Sequence, residues 1–337
     1  MTIESTNDNT PTAPAITYSE CYVQPFDTVI HSDFLNNNLP DKCANLIIAD
    51  PPYFEVKGAF DFVWNSFDDY LKDVEKWAIE CKRILADNGT LFWYGHAKNI
   101  AYAQVIFDLH FNLINNLVWN KGSFMGLEES KGLRSFAPCT ERILMYGLES
   151  KKDNLGYFFE GDRFILSYIQ NECIKAGINT RKDYDKILNA TNKSQHHLSE
   201  SHFRLIKEKD YLKLREYTKN KFFKIEYKDL INKHNLLQRP FENMFNLQEV
   251  LNFPNEATKT GAKYDHETVK PETLTRALIL TCSRPNDLVV VPFAGSGTEV
   301  AMSIKEGRKS IGFDINSKYV EMSNKRIKTF KDAPNLF

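Results

Sequence analysis

A chain of 337 residues and 39.0 kDa is long enough for one large domain or two modest ones, and at 42% apolar it can fill a core, which excludes global disorder. With 43 Lys and Arg against 44 Asp and Glu the net charge is −1, so the whole-chain balance by itself predicts no polyanion partner. No apolar run approaches the ~18–20 residues of a membrane span. The cysteines (Cys21, Cys43, Cys81, Cys139, Cys173, Cys282) lie far apart, without CxxC or zinc spacing. Scattered thiols fit a reducing cytoplasm and argue against a disulfide framework or a metal site. The polar N-terminus lacks the basic-then-apolar pattern of a signal peptide. A soluble cytoplasmic protein is expected.

Residues 1–14 are small, polar and proline-broken, and predict a disordered lead-in. Strand and helix patterns then alternate over 15–150. Leu46–Ala49 reads as a buried strand stopped by Pro51 and Pro52. Phe67–Leu85 is an amphipathic helix, ended by Asn88-Gly89 before a strand at Thr90–Tyr94. A helix near Asn99–Leu109 and strands near Leu113–Trp119 and Arg142–Tyr146 follow. Such alternation predicts a mostly parallel sheet with helices on its faces.

The texture changes over 151–255. Between Lys151 and Arg239 there are 19 basic residues against 12 acidic ones. Helices are predicted at Phe164–Ala176, Arg181–Ala190, Ser194–Phe203 and Lys209–Tyr217. The α/β pattern returns over 256–330, with helices at Glu272–Thr281, Thr298–Glu306 and Ser317–Phe330 and strands at Leu288–Val291 and Ser310–Asp314. Residues 331–337 form a tail. The sheet is therefore expected to be discontinuous in sequence, interrupted by a basic helical segment.

Two motifs carry chemistry. Asp50-Pro51-Pro52-Tyr53 stands at the carboxyl end of a strand, where open α/β sheets bind ligands. The Asp50 carboxylate and the Pro51 carbonyl offer two acceptors for the protons of an amino group, and Tyr53 offers a ring face; an ordinary Asp-Pro turn is the other reading. Pro292-Phe293-Ala294-Gly295-Ser296-Gly297-Thr298 joins a strand to a helix, with Asp314 ending the next strand. Glycines admit close approach of a ligand, and an acid at that strand end can accept from both ribose hydroxyls of a nucleoside cofactor. A cap on the last helix is the lesser reading of Asp314. The dinucleotide fingerprint GxGxxG is missing, which disfavours NAD and FAD.

Together with His266-Glu267-Thr268-Val269-Lys270-Pro271, these motifs and their order resemble the β-group amino-methylating DNA methyltransferases, over about 28–147 and 262–330. The resemblance implies a Rossmann-like S-adenosylmethionine-dependent sheet with helices on both faces and a mostly helical target-recognition insertion. It implies Asp50, Pro51, Pro52 and Tyr53 as catalytic residues. It implies S-adenosylmethionine held by Asp33, Asp50, Lys270, Phe293, Gly295, Ser296, Gly297, Thr298 and Asp314, with no metal. Asp33 matches the family's acid near the cofactor adenine, although a turn aspartate is the plainer reading. Lys121, in Trp119–Gly122, and Arg134 match segments that border the target-base pocket.

Double-stranded DNA is the implied partner, with a homodimer allowed, in a bacterial or phage setting. Asp50, where cytosine-amino enzymes commonly carry Ser, favours adenine over cytosine, since a carboxylate is the stronger acceptor. The target base is expected to flip out of the duplex. Two departures stand out: Glu267 replaces a proline, and Val291 replaces an aspartate before Pro-Phe that the resemblance assigns to the methionine end of the cofactor. The insertion can be parsed as a helix-turn-helix whose second helix, from Asn192 to Phe203, presents Lys193, Gln195, His196 and Arg204 to DNA. A solvated basic cap is the alternative.

Overall fold

The computed structural model describes residues 25–56, 61, 63–122, 132–148, 151–152, 158–159, 164–199, 202–254 and 269–332. The predicted lead-in, residues 333–337 of the tail, and His266 to Thr268 lie outside the described residues. The chain divides into two compact units, one of them Lys151–Gln238 and the other built from the segments on either side of it.

The second unit opens with β1 (Thr28–His31), β2 (Ala44–Ala49), α1 (Phe67–Ile84), β3 (Leu85–Gly95), α2 (Ile100–Phe107), β4 (Asn112–Asn120) and β5 (Thr140–Gly147). In α1 the Ser66 hydroxyl accepts from the Asp69 N–H at 3.1 Å, acids fill the first turn, and Lys82 and Arg83 the last. Its Val74, Trp77, Ala78 and Cys81 are buried. The helix ends at Ile84 rather than at the predicted Asn-Gly stop, because Leu85 already turns extended and pairs with Ala44. Gly89 lies inside β3, where a Cβ would stand 2.6 Å from the Leu85 side chain and 3.0 Å from the Ala44 carbonyl. Close strand approach, not helix termination, explains that glycine.

The Lys151–Gln238 unit contains the two-residue pair β6 (Lys151–Lys152) and β7 (Phe158–Phe159), then α3 (Phe164–Lys175), α4 (Arg181–Leu188), α5 (Lys193–His197), α6 (Glu208–Tyr217) and α7 (Tyr227–Leu237). Its core includes Ile165, Ile169, Tyr184, Leu188, Tyr211, Leu214, Phe223 and Leu230. The short helix predicted from Ser194 to Phe203 is corrected in its length: α5 stops after five residues. Its start is clamped by Asp185, which accepts from the Ser194 N–H and hydroxyl, each at 2.8 Å. Its end is held by Tyr184, whose hydroxyl lies 3.0 Å from His197 Nδ1. Asn189 and Asn192 take the left-handed backbone on either side of the turn. Helix α7 was not predicted.

The chain returns through β8 (Val250–Asn252), α8 (Glu272–Cys282), β9 (Leu288–Val291), α9 (Thr298–Lys305), β10 (Lys309–Asp314) and α10 (Ser317–Asp332). The short β1 and β8 also went unpredicted. Eight strands form one sheet in the order β1-β10-β9-β2-β3-β5-β4-β8. The first five run parallel, while β5 lies antiparallel to both β3 and β4. Side chains alternate across it. Ile47, Trp93 and Val290 join the core under α1 and α2, and Leu46, Phe92 and Val289 join the core under α8 and α9. Among the described residues no helix is long and apolar enough to cross a membrane.

Candidate active site

The sheet order decides where the motifs meet. Strands β2 and β9 are neighbours, with Leu46 opposite Val289 and Ile47 opposite Val290. Asn45 adds a side-chain bond, accepting from the Leu288 N–H at 2.9 Å. Asp50 and Phe293 both lie three residues beyond that pairing, and Asp314 ends the adjacent β10. A cavity of about 980 Å³ opens at these carboxyl ends, lined among others by Asp33, Asp50, Tyr53, Lys270, Gly295 and Asp314. That volume suits a nucleoside-sized cofactor with room for a second planar group.

Asp50 is held from two sides: the Tyr53 hydroxyl donates to Oδ1 and the Lys270 ammonium to Oδ2. The Tyr53 N–H donates to the buried Asp61, which fixes the Pro-Pro turn. Burial, then the Asp50 charge, raises the Tyr53 phenol well above its ordinary range, so it stays a donor. Lys270 is 5% exposed. Burial works against its charge, but Asp50 and then Glu141 outweigh it and hold its pKa at about 12. Glu141 lies 3.7 Å from Lys270 and 2.8 Å from Lys121. Burial would raise its carboxyl, yet those two ammonium groups keep it below the ordinary range.

On the other side of the cavity, Asp314 Oδ2 accepts from the Gly295 N–H and Oδ1 from the Asn316 N–H, both at 2.8 Å. The last helix is capped by Asn316, whose Oδ1 accepts from Lys318 at 3.0 Å, so Asp314 ties the glycine loop to β10 instead. Gly297 has φ +71°, and a Cβ there would stand 2.7 Å from Ser323 Cβ. No other residue fits. Asp33 caps the short turn Phe34–Asn36, accepting from Leu35 at 2.9 Å, and still faces the cavity.

Not every expected residue arrives there. Thr298 is fully buried and its hydroxyl accepts from Arg326 at 2.7 Å; neither it nor Gly297 lines the cavity. Both shape the loop from behind. Phe293 lines the cavity with its ring edge-on to Trp77 at 5.0 Å. Lys121 and Pro51 are lining residues too, whereas Arg134 is exposed and is not. In the helical unit Lys193 is paired with the buried Asp210, which removes it as a free phosphate contact. His196 and Gln195 are half-buried, His196 lying 3.2 Å from the His202 carbonyl, and Arg204 is exposed. The pairing of Lys270 with Asp50, 220 residues away, and the buried Glu299 were missed by sequence reasoning. Among the described residues no group of His, Cys, Asp or Glu could hold a metal ion.

The arrangement fits S-adenosylmethionine: acids at two strand ends, a glycine loop between them, and a buried carboxylate oxygen of Glu299 without a partner. Over 307 residues the chain is 27% identical to the DNA adenine methyltransferase YhdJ of Escherichia coli K12, covering 89% of this chain and 82% of that one. It is 25% identical to the type II methyltransferase M.HinfI of Haemophilus influenzae, over 92% and 70% of the two. The solved PvuII DNA methyltransferase (cytosine-N4-specific) is similar at TM-score 0.49 and 13% identity, over 92% of this chain and 89% of that one. The DNA methylase family matches residues 44–325, most of the chain. The chain therefore belongs to the S-adenosylmethionine-dependent DNA methylases that methylate the N6 of adenine or the N4 of cytosine.

Proposed function

We propose that this DNA methyltransferase acts on the 6-amino group of adenine, in a base flipped out of double-stranded DNA into the cavity at Asp50 and Tyr53. The observation that carries this reading is the carboxylate of Asp50 at the end of β2, lining the same cavity as the glycine loop and Asp314. Adenine as target is supported by Asp at the first motif position and by the adenine specificity in the name of the relative YhdJ.

S-adenosylmethionine supplies an electrophilic methyl group. The chain's own residues do the rest. A carboxylate has about four acceptor sites. Asp50 can therefore keep its bonds from Tyr53 and Lys270 and still accept one amino proton, while the Pro51 carbonyl accepts the other. Both bonds draw the nitrogen lone pair out of conjugation with the ring, which makes the nitrogen nucleophilic. Lys270, bonded to Asp50 and charged, fixes where that carboxylate points. The Tyr53 ring replaces stacking that the base loses on leaving the duplex. Positioning and fixed charges provide most of the acceleration. Asp33 and Asp314 hold the nucleoside end of the cofactor, and Gly295 and Ser296 let it lie close to the loop.

In the helical unit Gln195, His196, Arg204 and the exposed Lys207 are assigned to DNA contact, with a five-residue helix instead of a full recognition helix. The enzyme acts in the cytoplasm, where such DNA lies. Methyl transfer from labelled cofactor to genomic DNA, followed by nucleoside analysis, tests the reading. Label in N6-methyldeoxyadenosine is expected; label in N4-methyldeoxycytidine would reverse the base assignment, and no transfer to DNA would sink it.

A further inference from the structure

Glu299 is the second residue of α9, on the helix that starts where the glycine loop ends. It is 4% exposed, lines the cavity, and its Oε1 is buried without a hydrogen-bond partner. A buried acceptor left unmade is costly, and a buried carboxylate more so. The groups facing it are Asp50 beyond β2, Lys270 before α8, Arg326 on α10 and the phenol of Tyr94 on β3. Burial and then Asp50 push its pKa up to about 7, against the pull of Lys270 and Arg326. Arg326 is already bonded to Glu272 at 2.7 Å, and the Tyr94 hydroxyl is itself buried without a partner.

Charge decides what could satisfy this oxygen. Seven carboxyl groups line the cavity, Glu299 among them, against three ammonium groups, Lys76, Lys121 and Lys270. With Glu299 ionised, negative charge on the cavity wall is in excess, and the buried oxygen needs a donor. A cationic ligand group with N–H bonds meets both needs. The sulfonium of S-adenosylmethionine is a cation without N–H, and its ribose hydroxyls are neutral. Its α-ammonium has both properties. Val291, at the end of β9, is 1% exposed and packed in the apolar core under α8 and α9, so it offers nothing to a ligand.

We propose that Glu299 binds the α-ammonium of S-adenosylmethionine, supplying from the first turn of α9 a carboxylate that the strand end at Val291 lacks. The inference rests on the cofactor placement proposed for this cavity.

The test compares wild type with Glu299→Gln and Glu299→Thr by calorimetry, using S-adenosylhomocysteine and 5′-methylthioadenosine, the same nucleoside without its amino-acid end. Both variants should lose about 10–100-fold in affinity for S-adenosylhomocysteine, as for a charge-assisted bond. Affinity for methylthioadenosine should change less than twofold. Wild type should also release protons on binding S-adenosylhomocysteine near pH 6, because the bound ammonium favours ionised Glu299. That release appears as a dependence of the heat on buffer ionisation, requires no variant to fold, and should vanish in Glu299→Gln. Equal weakening of both ligands would overturn the proposal in favour of a structural role. Unchanged affinities with lost methylation would reassign Glu299 to the target base. Asp314→Ala is the control for the cavity itself: it should weaken both ligands alike. If it affects neither, the cofactor placement falls and this inference with it.

Discussion

In the sheet unit the buried Asp61, Lys270 and Glu299 line a cavity, where Glu299 keeps an unbonded oxygen; in the helical unit the buried Asp210 and His197 meet side chains of neighbouring helices. Asp210 meets Lys193, Asp185 closes on Ser194, and His197 faces Tyr184. The contrast is informative because burying an unpaired charge is unfavourable wherever it happens. Where a neighbouring helix supplies the partner, as Lys193 does for Oδ2 of Asp210, the pair holds helices together, although Oδ1 of Asp210 stays unbonded. Where pairing is incomplete around a cavity, a ligand is expected to finish it.

The sharpest way to break this contrast is at Asp50. Asp50→Ala should lower single-turnover methylation by at least about 10²–10³-fold, as for loss of a preorganised group at the reacting atoms. Cofactor affinity should stay within tenfold, about 1.4 kcal/mol. Substantial residual turnover would remove Asp50 from the reaction.

Next comes pH, which should pull the two units in opposite directions. Burial first of all lowers the His197 pKa to about 4, against about 6.5 when unfolded. The unfolded chain then binds the extra proton, so His197 contributes its full stability above pH 6.5 and loses it as pH falls toward 4, by up to about 3 kcal/mol. Glu299 has the reverse sign. Its folded pKa of about 7 exceeds the unfolded 4.5, so stability is full below pH 4.5 and declines as pH rises through 7. Hydrogen exchange read separately in each unit at pH 5 and pH 8 checks both. Matching trends in the two units would defeat the assignment.

A smaller effect separates scaffolding from DNA contact. Lys193→Met leaves the Asp210 carboxylate buried alone and should destabilise the helical unit by about 1–3 kcal/mol in chemical denaturation. Arg204→Ala and Lys207→Ala should leave stability unchanged. Each should weaken binding to all duplexes alike and reduce the salt slope by about 1. A slope unaltered by both would favour a solvated cap over a DNA-binding surface.

The parts of the site that were legible in the sequence are those punctuated locally. Pro51-Pro52 and the Gly295–Gly297 loop mark strand ends because proline and glycine restrict or free the backbone where they stand. The helices and strands flanked by such residues were legible to within a few positions for the same reason, whereas β1, β8 and α7 were not. Contacts between distant residues were not. No pattern near Lys270 announces a bond to Asp50, and a glutamate at Glu299 reads as an ordinary partner of the helix dipole. The early end of α5 was not legible because Ser194 and His197, polar residues that suggest an outward face, turn inward to Asp185 and Tyr184.

The adjacency of β2 and β9 has a consequence for synthesis. More than two hundred residues separate these strands, and β1 pairs with β10, Thr28 lying opposite Ile311. Pairings of such long sequence separation are slow to form, because loop closure must precede any reward from contact. A nascent chain that has emerged only through β5 carries Asp50 and Tyr53 with β3 on one side of β2 but lacks β9 on the other. The two halves of the cavity can come together only after β9 and β10 have been made, so methylating competence arrives late and all at once.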